Sequence, residues 1–417
     1  MGIDTIPLSV NSDTSSGLWG LTAPGGSLGQ PVVGPEAVYL LVADRMASLN
    51  RHDGQVRWQR PHGVFLGRYP LSAKFTAVGR YLVVPGADTD DGRTVTVLDA
   101  ATGERVWSRE AEPIEGHRAD EQTLVLWSKD KYGPSLITAL DLADGHQLWQ
   151  RKFEEIDQVL LTGGRVLAEV KSRTGRGSRG YDARTGERLW EGDCWTRVIH
   201  EADASVVFNW SWPSTRLQWF DPATGETLGS CHPRVKEEPY GALFTDGGDT
   251  LWLAAHGKRR VYRLRPFESP KPTHSFRTGL RGLAWSEDRI AVVDGWLYGL
   301  DEGNRVLCAP VEAGGRLKQL SWPADTPRRE RRSRYRPRLV PGPNHLYATW
   351  EQSGRSDAVL GIRHGRVLWS LPIDCDAPVP AGDRVLIGES TSKHDRLWLV
   401  DGETGAFTGR GPRLADR

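Results

Sequence analysis

Cysteine is scarce in this chain of 417 residues, and its four copies, Cys194, Cys231, Cys308 and Cys375, stand far apart with no C-x-x-C among them. That spacing argues against a disulfide framework and a structural zinc site, so small buried or half-exposed thiols are expected. A run of about eighteen apolar residues is also missing, so no membrane-spanning helix is expected. The opening MGIDTIPLSVNSDTSSG lacks a basic start and an apolar core, so the reading is a cytoplasmic chain without a signal peptide. Net charge is nearly absent: 54 Lys and Arg face 53 Asp and Glu, a formal +1, which gives no global field toward nucleic acid or membrane. Catalytic signatures are missing as well, with no G-x-S-x-G elbow, no H-E-x-x-H and no Walker-type glycine loop.

Glycine and tryptophan, by contrast, are abundant, at 47 and 17 residues, and they recur together. "LDAATGERVW" (98–107) is followed by "LDLADGHQLW", "YDARTGERLW" and "FDPATGETLG". The alternating TVTVL before Asp99 reads as a strand, Asp99 closes an Asx-type turn, and Gly103 supplies the positive φ of a tight hairpin. Turn glycines recur at Gly54, Gly103, Gly145, Gly186, Gly225, Gly303, Gly365 and Gly405. Their spacing is about 40 residues, with one gap of about 80 and one of about 60. The long gap predicts a degraded repeat near residue 264 with a worn turn at Arg265-Pro266, and the count is nine units.

Four short strands per unit, glycine-rich turns and almost no helical periodicity predict an all-β, closed β-propeller of four-stranded antiparallel blades. Trp58, Trp107, Trp149, Trp190 and Trp369 each end an outer strand. They are expected to wedge against the neighbouring blade, burying on the order of 200 Å² apiece.

The pattern Asp-x-x-(Thr/Asp)-Gly-x-x-(Leu/Val)-Trp resembles the repeat of the PQQ-type quinoprotein propellers, over about residues 15–410. That superfamily includes quinoprotein alcohol dehydrogenases and an outer-membrane assembly lipoprotein that binds no quinone. The resemblance implies eight blades by family habit, against nine units counted. The organisation read from the repeat is a single domain over 15–410, with a flexible N-terminus at 1–14 and an Arg-rich inserted loop at 324–340. "GLWGLTAP" near the N-terminus echoes "VLWSLPID" and is expected to help complete the last blade. Quinoprotein dehydrogenases that resemble this repeat add adjacent cysteines, a calcium site and a catalytic Asp. No two cysteines are adjacent here, and Asp88, Asp90 and Asp91 lack the spacing and terminal Glu of a calcium loop. No metal and no cofactor, PQQ with calcium included, is therefore expected.

Candidate sites come from residues outside the repeating positions. The fifth unit offers Trp195, Arg197, His200, Trp210 and Trp212, a set suited to an aromatic or anionic ligand. Lys129, Lys131 and Tyr132 lie in a charged loop of the third unit. "TPRRERRSRYRPR" carries Arg328, Arg329, Arg331, Arg332, Arg334, Arg336 and Arg338 with one glutamate and no apolar face, the composition of an arm that docks on an acidic partner. Tyr335 is its sole aromatic, so nucleic acid is not expected, nor is a membrane. The reading is a binding or scaffold propeller recruiting a protein or a small polar or aromatic ligand on its loop face. The alternative is a cofactor-independent lyase, cyclase or isomerase, with His200 as acid or base and Arg197 holding an anion. A PQQ-dependent oxidoreductase is the second alternative.

Overall fold

The computed structural model describes residues 9–13, 18–24, 31–42, 45–61, 75–85, 94–112, 114–128, 134–172, 175–192, 207–211, 216–231, 242–245, 250–255, 260–264, 274–277, 290–300, 305–313, 315–320, 338–350, 358–371, 373, 375, 378–390 and 394–407. Every element among them is a β-strand, and the strands form nine sheets, numbered here in chain order. Sheet 2 is the pattern for the rest: Thr76–Val78 innermost, then Tyr81–Pro85, Thr94–Asp99 and Arg105–Glu110, each antiparallel to its neighbour. Sheets 1 (32–61), 3 (114–153), 4 (155–192) and 8 (339–371) repeat that order. Three described strands make up sheet 5: Val207–Ser211, Arg216–Phe220 and Thr227–Cys231. Sheet 6 (242–277) is the degraded repeat expected near residue 264, and a lent strand, Gly315–Arg316, pairs parallel with its outer edge.

The third-to-outer turn owes its shape to one carboxylate. Asp99 Oδ1 accepts hydrogen bonds from the Ala101 and Thr102 amides, both at 3.0 Å, while Gly103 N donates to Asp99 O at 2.8 Å. Asp182 and Asp401 repeat the arrangement, and Asp141 and Asp221 keep the first of the two amide bonds together with the glycine N–H. Gly103 sits at φ +71°, a left-handed conformation that a side chain rarely adopts.

Sheet 7 departs from the sequence expectation. Its strands are Ile290–Val293, Trp296–Leu300, Val306–Pro310 and Lys318–Gln319. Asp294 and Gly295, both at positive φ, form the tight first turn, which makes Trp296–Leu300 the second strand rather than the third. In sheets 1, 2, 3, 4 and 9 the third-to-outer turn donates a backbone N–H to the first turn, as Ala100 N does to Arg80 O at 2.8 Å. In sheet 7 that donor is Val311, bonded to Gly295 O at 2.8 Å. The repeat turn is thus at 311–317 and not at Gly303, which lies outside the described residues.

Consecutive sheets share apolar clusters because a four-stranded sheet cannot cover its own faces. Met46 and Leu41 of sheet 1 meet Leu82 and Val84 of sheet 2, and Val95 and Val97 of sheet 2 meet Leu124 and Leu126 of sheet 3. The N-terminal strand Leu18–Pro24 pairs antiparallel with His394–Asp401 and so becomes an outer strand of sheet 9. Trp19, Leu21, Leu386 and Leu397 of that sheet pack with Val38, Leu40 and Leu49 of sheet 1. Trp19 is 0% exposed. Trp19→Ala is expected to lower unfolding stability by about 3–5 kcal/mol through the cavity and the lost contacts, read as a lower denaturation midpoint. A shift no larger than that of a surface substitution would show that the N-terminal strand does not secure the last sheet to the first.

Candidate functional site

Each outer-strand indole reaches the turn of the next sheet. Trp58 Nε1 donates to Ala100 O at 3.1 Å, Trp107 to Leu142 O at 2.8 Å, and Trp149 to Ala183 O at 2.9 Å. Trp190 donates to Pro222 O at 3.0 Å, Trp369 to Gly402 O at 2.8 Å, and Trp19 to Arg51 O at 3.0 Å. The ring lies flat on the turn glycine: a methyl on Gly103 would stand 2.5 Å from Trp58 Cε3. Gly54, Gly145, Gly186, Gly225 and Gly405 are covered in the same way by Trp19, Trp107, Trp149, Trp190 and Trp369. Sequence reasoning missed a second element, an arginine two residues after the indole. Arg109 Nη1 donates to Gly145 O at 3.2 Å, Arg151 Nη2 to Gly186 O at 2.6 Å, and Arg60 Nε to Thr102 O at 3.3 Å. The signal was available as W-x-R in the first three units. Trp149→Ala should cost about 3–5 kcal/mol, whereas exposed Val106→Ala should stay within about 0.5 kcal/mol, both read by chemical denaturation. Equal losses at the two positions would contradict the interlock.

A polar cluster with no counterpart among the described residues of the other units spans sheets 7, 8 and 9. Asp294 Oδ2 accepts from His364 Nε2 at 2.6 Å and from Arg363 Nε at 3.3 Å. Arg363 Nη1 also donates to Glu403 Oε2 at 3.0 Å, and His345 Nε2 lies 2.9 Å from the same oxygen. Arg363 therefore ties a carboxylate of sheet 7 to one of sheet 9. Asp294 and His364 are the two non-glycine residues at positive φ among the described residues, at 46° and 47°. Asp and His tolerate that conformation better than most side chains, and here they bond each other. His345 is 4% exposed, and its Nδ1 and the buried Tyr347 hydroxyl have no hydrogen-bond partner.

The sequence hides this cluster in a compensated exchange. Sheets 1 and 8 share the same first turn, with Gly34 N donating to Ala37 O and Gly342 N to His345 O, both at 2.8 Å. His345 therefore stands where sheet 1 has Ala37. Opposite it, Gly402 stands where other turns have Ala100 and Ala183, and a Cβ there would come within 2.3 Å of the Asp383 carbonyl oxygen, 2.8 Å of the Tyr347 hydroxyl and 3.1 Å of His345 Nδ1.

Charge follows geometry at these groups. The His345 hydrogen bond, then that of Arg363, holds the Glu403 carboxyl below its ordinary range. Burial pushes the Asp294 carboxyl up, but the hydrogen bonds from His364 and Arg363 outweigh it and leave it lowered. Burial raises the Tyr298 hydroxyl to about 12 and the Cys308 thiol to about 11, so neither ionises near neutrality. Carboxylates lowered in the folded state stabilise it above their unfolded pKa, and that contribution disappears as pH falls through the lowered folded value. Thermal midpoints of wild type and Glu403→Gln should therefore converge as pH falls below about 4 and differ at pH 7, with wild type the more stable. A constant difference across that range would refute the assignment.

The sequence-nominated ligand residues are not brought together among the described residues. Trp195, Arg197, His200, Trp212, Lys129, Lys131, Tyr132, Arg328, Arg329, Arg331, Arg332, Arg334 and Arg336 lie outside them. Trp210 is placed by its backbone, opposite Leu217 in sheet 5. Arg338 is exposed, and its N–H donates to Thr349 Oγ1 at 3.1 Å. Among the described residues, no group of three or more His, Cys, Asp or Glu is placed to hold a metal ion.

Residues 91–231, from sheet 2 through sheet 5, match the family model of the outer membrane protein assembly factor BamB. The resemblance to the PQQ-type β-propeller superfamily is borne out by that match. No curated protein matches the chain. Among solved structures, BamB from Moraxella catarrhalis is similar at 17% identity, over 69% of this chain and 84% of its own, with a TM-score of 0.40. A quinohemoprotein alcohol dehydrogenase, ADHIIG from Pseudomonas putida HK5, is similar at 12% identity over 94% and 76%, with a TM-score of 0.48. The computationally designed Ika8 protein is similar at 13% over 91% and 98%, with a TM-score of 0.46. Superpositions this loose carry no argument about activity.

Proposed function

We propose that the nine sheets close into a single ring and that the ring is a binding scaffold for a protein partner, with no chemistry of its own. The observation that carries this reading is the match of residues 91–231 to the family model of an assembly factor. A physical argument supports it. The repeated Asp, Gly, Trp and Arg are all taken up in fastening one sheet to the next, which leaves recognition to residues outside the repeat. Those are Trp195, Trp210, Trp212, Lys129, Lys131 and Tyr132 for an aromatic or polar contact, and the arginines from Arg328 to Arg338 for an acidic surface.

The reading is tested by replacing Arg328, Arg329, Arg331, Arg332, Arg334 and Arg336 with serine in the full chain. Recovery of the partner that co-purifies with the wild type should fall at least about tenfold, more steeply at low salt, with an unchanged thermal midpoint. Unchanged recovery removes the arm from the interface, and a wild-type chain that brings down no partner overturns the scaffold reading. Adding PQQ with calcium should leave the thermal midpoint where it is, since a tight ligand of the native state would raise it. A saturable rise would favour the oxidoreductase instead.

A further inference from the structure

Two polar atoms at the junction of sheets 8 and 9 are buried with no hydrogen-bond partner among the described residues, the Tyr347 hydroxyl and His345 Nδ1. Tyr347 is 0% exposed and His345 is 4% exposed, so bulk water does not reach either. The place where a Cβ of Gly402 would stand is 2.8 Å from the hydroxyl, 3.1 Å from the imidazole nitrogen and 2.3 Å from the Asp383 carbonyl oxygen. All three polar atoms thus surround the bare α-carbon of Gly402. The hydroxyl and the nitrogen are nonetheless too far apart to bond each other. Sheet 1 provides the comparison. Tyr39, two residues after Ala37, holds the place of Tyr347, and its ring lies 6.3 Å from that of Trp58 as the Tyr347 ring lies 6.2 Å from that of Trp369. Beside Tyr39 stand Ala37 and Ala100, where Tyr347 has His345 and Gly402. The exchange brings in a nitrogen and removes a methyl next to the same tyrosine.

The surroundings set which of these atoms donates. His345 Nε2 lies 2.9 Å from Glu403 Oε2, and that bond lowers the Glu403 carboxyl, so Nε2 carries the proton and Nδ1 of the neutral ring is an acceptor. Burial raises the Tyr347 hydroxyl, and Asp383 and Asp401 raise it further, so it keeps its proton and donates. The Asp383 carbonyl takes the Gly402 N–H at 3.1 Å and has a second lone pair to offer. One donor and two acceptors therefore converge. A molecule with two protons and a free lone pair is their complement.

We infer that the junction of sheets 8 and 9 binds one structural water molecule, which accepts from the Tyr347 hydroxyl and donates to His345 Nδ1 and to the Asp383 carbonyl. Buried water makes about three such bonds to polar groups that would otherwise be unmet. The water completes a chain of hydrogen bonds from Tyr347 through His345, Glu403, Arg363 and Asp294 to His364, whose side chain is 53% exposed. It also fixes the imidazole with Nε2 toward Glu403, because turning the ring over would break both of its bonds. The site holds sheets 8 and 9 together whether or not the protein recruits a partner.

A high-resolution crystal structure of the full chain tests this directly. A solvent peak is expected at about 2.7–3.2 Å from Tyr347 Oη, His345 Nδ1 and the Asp383 carbonyl oxygen. No peak there, or the two side chains turned to bond each other, overturns the site. Tyr347→Phe supplies a second readout, because the two cases differ in sign. Where the hydroxyl bonds a buried water, its removal leaves that water short of a donor, and the unfolding constant from chemical denaturation should rise about tenfold. Where the hydroxyl is unmet, its removal deletes a buried polar group that has no partner, so an unchanged or lowered unfolding constant overturns the inference.

Discussion

A flat indole resting on a glycine that cannot carry a side chain is the contact on which this architecture depends. A sheet of four short strands has two faces and no material of its own to cover them, so its stability is borrowed from its neighbours. The Asp-capped turn gives each sheet a fixed socket. Its glycine is bare, and the carbonyl after the aspartate points at the preceding sheet and takes the indole N–H, as Ala100 and Ala183 do for Trp58 and Trp149. Burying an indole without a partner for its N–H would cost part of what the ring contributes, and the turn removes that cost. Local turn chemistry and tertiary packing are thus carried by the same residues.

Variation around that contact gives each junction its own character. The residue after the docking carbonyl is alanine in several turns and charged in others, where it reaches back to the preceding sheet. Arg184 bonds Asp141 at 2.7 Å, Glu312 bonds Arg263 at 2.8 Å, and Glu403 bonds Arg363 and His345. Most of these pairs are partly exposed and individually weak. Their arrangement distinguishes junctions that the indole and glycine would otherwise make nearly interchangeable. The Arg363 cluster goes furthest, joining three sheets through one guanidinium, and it is the most elaborate charged assembly among the described residues.

Much of the fold was legible because its period is short and its residues are extreme. Asp99, Gly103 and Trp107 each have few alternatives at their positions, so their recurrence stands out in a bare string. The worn repeat near residue 264 was legible from spacing alone. Gly303 was misleading because L-D-E-G-N-R-V-L imitates the repeat turn, while the Asp294-Gly295 turn that shifts the strands by one position is only two residues long. The site was far less legible. His345 and Gly402 are separated by a whole unit, and neither is unusual until the first turn of sheet 8 is laid over that of sheet 1 and the socket of sheet 9 is seen to face it. Arg60, Arg109 and Arg151 were overlooked since an arginine on an outer strand looks like ordinary solvated surface.

The sequence by itself determined the strands, the turns, their period and the surface each sheet must hide, because those follow from residue-level preferences for extended backbone, positive φ and burial. Only the tertiary structure decided that each indole N–H meets a turn carbonyl of the next sheet, that Asp294-Gly295 makes Trp296–Leu300 a second strand, and that Asp294, Arg363, His364, Glu403 and His345 meet. The first and the last are relations between residues tens of positions apart, and chain distance carries no energy of its own until packing brings the groups within bonding range.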